Sequence, residues 1–244
     1  MALLKLLCIF AATLGLHTAA TSPNPPQSDS DLTPIKSSAL EFIASRRLRI
    51  IQRMVYWAVG LAETAVIVAQ LATPSSWTEQ VLAAFAIGGE LSRVQSSLST
   101  APTVAFGSFL IVCGALLRLR CYHALGRHFT FEVGIFSHHK LVTTGPYRIV
   151  RHPSYTGALL AYVGLMLYYA SPGTWIMECV IKGSMAGRIF GILYALLMFI
   201  VVTGLTWRIP KEDDALRAVF GKEWEDWAAE RPELTVTILD LNQV

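Results

Sequence analysis

Charge is scarce in this chain. Of 244 residues, 15% are charged and 53% are apolar, against roughly 25% charged in a soluble domain. An ordinary water-exposed globule is therefore excluded, and the mean hydropathy of +0.48 agrees. The net charge of +3 is too small to argue for nucleic acid, so what matters is where the charges sit. Cysteine is equally sparse. Cys8, Cys113, Cys121 and Cys179 are scattered through mostly apolar stretches with no CxxC pair, which removes a disulfide framework and leaves four packing residues. No internal repeat is visible.

Long hydrophobic runs fill the space that charge leaves. A membrane-crossing helix needs about 20 mainly apolar residues, and the expected spans are Leu3–Ala20, Ile50–Ala72, Thr103–Leu119, Tyr155–Ala170 and Ile189–Trp207. The third and fourth are short. Val81–Gly89 is too short to span and reads as a re-entrant or interfacial segment. The first run also resembles a secretory signal, with Lys5 ahead of leucines and small residues at Ala19 and Ala20. The arginines argue for keeping it. Arg46, Arg47, Arg49 and Arg53 crowd the start of the second span, and Arg118, Arg120, Arg127, Lys140, Arg148 and Arg151 crowd the segment between the third and fourth. The stretch Pro74–Pro102 carries only Glu79, Glu90 and Arg93. The positive-inside rule then puts the first and third loops and the C-terminal tail in the cytosol, with an uncleaved first helix whose N-terminus is outside. Glu63, inside the second span, is costly unless paired and is expected to meet a polar group on a neighbouring helix.

The chemistry-bearing residues gather in two places. His123, His128, His138, His139 and His152 share one stretch, yet their spacing completes no ligand set with carboxylates or cysteines, which argues against a metal. The segment from His139 to Gly157 reads HKLVTTGPYRIVRHPSYTG. Gly145-Pro146 makes a turn, and Arg151-His152-Pro153 breaks the chain before an apolar helix whose first turn favours proline. Free N–H groups at that helix start, with Arg148 and Arg151, suit an anion, either a ligand carboxylate or lipid headgroups. The second stretch, from Arg208, reads RIPKEDDALRAVFGKEWEDW. Glu212, Asp213 and Asp214 are expected at the start of an amphipathic helix. Leu216, Val219, Phe220, Trp224 and Trp227 form its apolar face, with the tryptophans at headgroup depth. Arg208 and Glu212, four residues apart where a span ends, are not explained by that face.

The order H-x-L-V-T-x-G-x-Y-x-x-x-R-H-P-x-Y-x-G, a span pair, then R-I-x-x-E-[ED]-x-x-L-x-x-x-F-G resembles the isoprenylcysteine carboxyl methyltransferase family from about Arg118 onward. The resemblance implies an all-α, polytopic membrane bundle with about five transmembrane helices. Residues 1–100 would be membrane-anchoring and residues 101–244 a methyltransferase core, with the pocket made by the loop before helix four and the C-terminal tail. It implies S-adenosylmethionine as methyl donor, no metal, and prenylated proteins as partners, in an endoplasmic reticulum membrane with the site facing the cytosol. By the same resemblance His139, Lys140, Leu141, Val142, Tyr147, His152, Pro153, Ser154 and Tyr155 line the cofactor. Glu212 contacts it from the tail, Arg208 faces the substrate, and Arg151 supports the pocket; Arg208, Glu212 and Arg151 are the catalytic candidates. Asp213 stands where relatives often carry a second glutamate, so Glu212 takes the greater weight. Glu132 is a looser candidate.

A C-terminal carboxylate has a pKa of about 3.5 and needs no general base, so the expected work is in-line placement in a site that excludes water. A prenyl chain gains about 0.8 kcal/mol per buried CH₂ and stays in the bilayer, which fits a site at the membrane boundary between helices three to five. Gly157, Gly164, Gly191 and Gly204 are candidates for close helix approach, or simply ordinary membrane-helix glycines. Phospholipid N-methyltransferases share parts of the pattern, with an amine nucleophile that needs a base such as His152 or Glu212. NADPH-dependent sterol reductases share the R-H-P-x-Y arrangement on longer chains, and a fold with a decayed site is the non-enzymatic alternative.

Overall fold

The computed structural model describes residues 2–24, 33–34, 46–86, 101–131, 134–135 and 140–231. These form an all-α, polytopic membrane protein. The long helices are α1 (Ala2–Ala19), α2 (Arg46–Leu71), α3 (Ser76–Phe85), α4 (Pro102–Leu125), α5 (Pro153–Tyr169), α6 (Met185–Phe220) and α7 (Lys222–Ala229). The β structure among the described residues is one antiparallel bridge, Thr33 to Ile135 and Pro34 to Gly134. It ties the α1–α2 connection to the α4–α5 connection.

Helices α1, α2, α4 and α6 are each long and apolar enough to cross a membrane. Helix α5 has 17 residues, about 26 Å at 1.5 Å per residue, slightly less than the ~30 Å hydrocarbon core. It occupies the fourth expected span and is as short as the sequence suggests. The segment expected at the interface after the second span is α3, ending at Phe85; residues 87–89 lie outside the described set.

Helix α5 is central because small residues let α4 lie against it. A Cβ placed on Gly114 would stand 2.4 Å from the Gly157 carbonyl oxygen, and one on Gly157 would stand 2.8 Å from both the Gly114 carbonyl and Arg118 Cγ. The pair Gly107 and Gly164 repeats the contact about two turns away, at 2.8 and 2.6 Å. Of the four candidate glycines, Gly157 and Gly164 therefore belong to a close helix approach. This packing also fixes where Arg118, on the same face of α4, enters the protein interior.

The first helix is part of this core. Ile9, Ala12 and Leu16 are buried, and Lys5, fully buried, forms an ion pair with Glu63 of α2 at 3.0 Å. Glu63 also accepts from Tyr168 Oη at 3.1 Å and the Trp175 N–H at 3.2 Å, and Lys5 donates to the Gly173 carbonyl. The span-embedded carboxylate thus meets a polar group on a neighbouring helix, as expected. That group is the lysine of the leader-like run.

Helix α6 departs from expectation. The tail does not begin a new helix near Glu212; α6 runs unbroken from Met185 through Pro210 to Phe220. Proline removes one N–H from the ladder and usually kinks the axis. The acidic triplet is therefore mid-helix, and helix-start electrostatics do not account for it.

Candidate functional site

Two chain segments meet at the end of the bundle where α5 begins. The first approaches through a turn at Gly145, whose φ of +61° lies in the left-handed region that glycine tolerates best. A single 3₁₀ turn, Gly145–Arg148, then leads to His152 at the cap of α5. The second is the continuation of α6. Arg208 and Glu212, four residues apart, share a face, and Asp213 is turned about 100° from Glu212 toward the loop.

Three contacts join the segments. Tyr155 Oη donates to Glu212 Oε2 at 2.7 Å. His152 Nε2 donates to Asp213 Oδ1 at 2.7 Å, and Arg151 donates to Asp213 Oδ2 at 3.0 Å. All three side chains of the Asp213 cluster are largely out of water, at 10% exposure for Asp213, 14% for Arg151 and 3% for His152. Burial disfavours a charged imidazole at His152, but the Asp213 hydrogen bond and the Glu212 and Asp213 charges outweigh it. Its pKa is raised above the ordinary value despite repulsion from Arg151. At Tyr147 burial is the main cause of a pKa held well above the usual phenol range. At His128, burial and then Arg127 and Lys140 lower the pKa.

Helix α7 braces the loop from behind. The chain reverses at Gly221, φ +53°, and Trp224 and Trp227 pack with Cys121 and Tyr147 in a buried cluster. Arg217 and Arg151 lie 4.8 and 5.9 Å from the Trp224 ring, and Arg231 donates to the Arg148 carbonyl at 3.2 Å. The tryptophans are thus buried in protein, with Tyr147 and Cys121 supplying the surface they pack on.

A cavity opens among these elements. Lys140, Leu141, Val142, Tyr147, Arg151, His152, Ser154 and Tyr155 line it from the loop and α5, and Arg208 and Glu212 line it from α6. Pro153 is buried at the first turn of α5 and is not on the wall. His139 and Glu132 lie outside the described residues, as does His138. Leu125, Leu141, Val142, Leu216 and Trp227 give one part of the cavity an apolar lining, with the Glu212 carboxylate beside it. A second part runs between α1, α2, α5 and α6, where Leu16, Tyr56, Tyr162, Val201 and Leu205 belong to the membrane-embedded core.

Two arginines distinguish this cavity. Arg208 is buried; its guanidinium donates to the Phe131 carbonyl at 2.6 Å, and its Nε has no hydrogen-bond partner. Arg118 is buried too, donating to Tyr122 Oη at 3.0 Å and to the Ser154 carbonyl at 3.1 Å. Neither has a carboxylate within ion-pair distance among the described residues. A buried cation without a counterion is costly, so the lining is matched to an anionic ligand. Among the described residues, no three His, Cys, Asp or Glu side chains converge as a metal site would require.

Sequence reasoning gave Asp213 too little weight. Its shorter side chain is what reaches Arg151 and His152, leaving Glu212 to face the cavity. Arg118 carried a legible signal, an ionisable residue at the edge of an apolar span. Gln52, also on the wall, carried none.

Residues 102–186 match the family model described as phospholipid methyltransferase. Protein-S-isoprenylcysteine O-methyltransferase B of Arabidopsis thaliana is 33% identical over 129 residues, covering 52% of this chain and 56% of that protein. A probable protein-S-isoprenylcysteine O-methyltransferase of Oryza sativa subsp. indica is 30% identical over 129 residues, 50% and 55% of the two chains. The chain is similar to the protein-S-isoprenylcysteine O-methyltransferases. The mouse (Mus musculus) protein-S-isoprenylcysteine O-methyltransferase is 31% identical over 130 residues, 52% of this chain and 39% of that one. The alignments thus span about half the length of these curated isoprenylcysteine methyltransferases, or less. No solved structure matches the chain.

Proposed function

We propose that the protein transfers a methyl group from S-adenosylmethionine to the C-terminal carboxylate of a prenylated cysteine. The observation that carries this reading is Arg208, a buried guanidinium without a counterion whose Nε faces no acceptor. Its paired donors suit a carboxylate. The rest of the lining fits the cofactor. Glu212 offers a carboxylate to an ammonium or to ribose hydroxyls, Leu141, Val142, Leu216 and Trp227 offer an apolar face to a purine, and Lys140 offers a cation to the amino-acid carboxylate.

Bound there, S-adenosylmethionine supplies an electrophilic methyl on a sulfonium. The protein's residues then have little proton chemistry to perform, because the substrate carboxylate is already ionised at neutral pH. Arg208 orients one carboxylate oxygen, and the Asp213 pairs with Arg151 and His152 hold the loop so that nucleophile and methyl can be collinear. Attack of anion on cation consumes charge, so a water-poor cavity favours the step. Arg208 must bind the carboxylate without over-stabilising its charge, since only preferential binding of the transition state accelerates the reaction. The lobe between α1, α2, α5 and α6 would take the prenyl chain. In the same reading the membrane is the endoplasmic reticulum and the site faces the cytosol, supported for sidedness by the arginines flanking α2 and α4. S-Adenosylmethionine is then drawn from water and the prenyl chain from the bilayer.

The family model matched by residues 102–186 favours a second reading, methylation of a phospholipid amine. That match ends before Arg208 and Glu212. An amine must shed a proton, yet His152 is already committed to Asp213 with a raised pKa, and two unpaired buried arginines repel an ammonium. Membranes containing the protein, given labelled S-adenosylmethionine with N-acetyl-S-farnesylcysteine or phosphatidylethanolamine, separate the two. Label in a base-labile ester is expected, and label in lipid would overturn the proposal.

A further inference from the structure

Helix α2 contributes one polar group to the cavity that no feature of the proposed chemistry uses. Arg49, Gln52 and Tyr56 recur at three- and four-residue spacing and all line the wall. Gln52 is 4% exposed, and its Nε2 makes no hydrogen bond of good geometry, the Tyr162 side chain of α5 giving it only a weak polar contact. A buried N–H donor without a full hydrogen bond is destabilising, and inside a membrane bundle leucine would fill the same volume without that cost. The residue is therefore better explained by a ligand than by the fold.

Its depth indicates which part of a ligand it meets. The Arg49 guanidinium lies 4.3 Å from the centre of the Phe131 ring, and the carbonyl of Phe131 accepts from Arg208. Arg49 thus marks the arginine layer of the cavity. Gln52 is three residues further along α2, about 4.5 Å at 1.5 Å per residue, and Tyr56 about 6 Å beyond that toward the apolar lobe. In a C-terminal cysteine the peptide nitrogen is two bonds from the carboxylate carbon, about 2.5 Å away, and the preceding carbonyl oxygen is somewhat further. A glutamine amide offers both N–H donors and a C=O acceptor and can pair with a peptide group. The prenyl chain leaves by the thioether on the other side of Cα.

We propose that Gln52 is a specificity-determining residue whose side-chain amide pairs with the peptide amide of a prenylated cysteine bound through its carboxylate at Arg208. The assignment rests on the carboxyl methylation reading above and deepens it. The site selects an acylated, peptide-linked prenylcysteine over prenyl acids that lack the amide.

The test uses the full-length protein in membranes, as wild type, Gln52→Leu and Gln52→Met. Two substrates are compared: N-acetyl-S-farnesylcysteine, and S-farnesyl-3-thiopropionic acid, which keeps carboxylate, thioether and prenyl chain but has no amide. In both variants the KM of the acetylated substrate should rise about tenfold, equivalent to about 1.4 kcal/mol, with kcat held within about twofold. The KM of the thiopropionate should not move. Equal shifts for both substrates, or no shift for either, overturn the assignment. So does loss of labelled S-adenosylmethionine binding in both variants, which would make Gln52 structural. If the wild type methylates neither substrate, the carboxyl methylation reading fails first and takes this one with it.

Discussion

Asp213→Asn tests whether the two segments are held together by charge. Asn keeps the shape and can still accept one hydrogen bond, so the change removes little but the negative charge. His152 then loses the partner that raises its pKa and can become neutral, whereas Arg151 cannot lose its proton. Removing one partner of a buried ion pair costs about 3–5 kcal/mol. Arg151 keeps 14% of its side chain in contact with solvent and has contacts besides Asp213, so part of this is relieved, and about 2–3 kcal/mol remains. By the tenfold-per-1.4 kcal/mol rule, that weakens the closed arrangement of loop and α6 about 30- to 150-fold. The assay is S-adenosylmethionine affinity, by direct binding of labelled cofactor and by its KM in ester formation. Asp214→Asn is the control, since that neighbour is exposed. A Kd for Asp213→Asn within about threefold of wild type, or an equal loss in the control, would refute the reasoning.

Arg208→Ala should abolish ester formation while labelled S-adenosylmethionine still binds within about threefold, as checked by equilibrium binding. Because the His152 pKa is raised, its bond to Asp213 contributes fully below the ordinary imidazole value and is lost as pH rises through the higher folded value. Cofactor KM should therefore climb with pH above about 6.5, and His152→Gln should flatten that limb of the profile. Gly157→Leu has no room beside the Gly114 carbonyl and Arg118 and should lower thermal stability in detergent by several degrees, whereas Gly191→Ala, facing only Ile181 at 3.3 Å, should change it little. Lys5→Met should destabilise by about 3–5 kcal/mol by stranding Glu63, and adding Glu63→Gln should recover most of the loss in the same thermal assay.

Helix positions were legible because membrane spans announce themselves by length and apolarity, and the two motif stretches stood out as polar islands beside them. What a one-dimensional pattern cannot carry is direction. By spacing alone Glu212, Asp213 and Asp214 read as one acidic run, from which only the family resemblance set Glu212 apart, yet a 100° step per residue sends one into the cavity, one to Arg151 and His152, and one to solvent. The acids at 212–214 read as the start of a new helix, but α6 continues through Pro210 into them. Trp224 and Trp227 have the spacing of an interfacial face, and only the reversal at Gly221 turns that face onto Tyr147 and Cys121. Lys5 is the plainest case. As a sequence feature it belongs to a leader's basic end; its partner is 58 positions away, and no local signal links the two.

That pairing bears on the substrate as much as on stability. Helix α1 is fixed near one end by Lys5 and Glu63, and at the other by Tyr122 Oη, which donates to the Ala19 carbonyl at 3.1 Å. Between these ties, Leu16 and Ala19 form wall of the apolar lobe, and α2 adds Gln52 and Tyr56. All of these residues precede the stretch, 102–186, that matches the phospholipid methyltransferase model. The side of the cavity proposed for the cofactor is built from residues 140–155 and the end of α6, whereas the lobe beyond Arg208 adds Leu16 of α1 and Tyr56 of α2, which the motifs do not touch, to Tyr162, Val201 and Leu205. A shared methyl donor can therefore serve different acceptors when α1 and α2 change while the loop and tail stay the same. Exchanging α1 and α2 between this chain and a phospholipid methyltransferase should move acceptor preference and leave cofactor affinity in place.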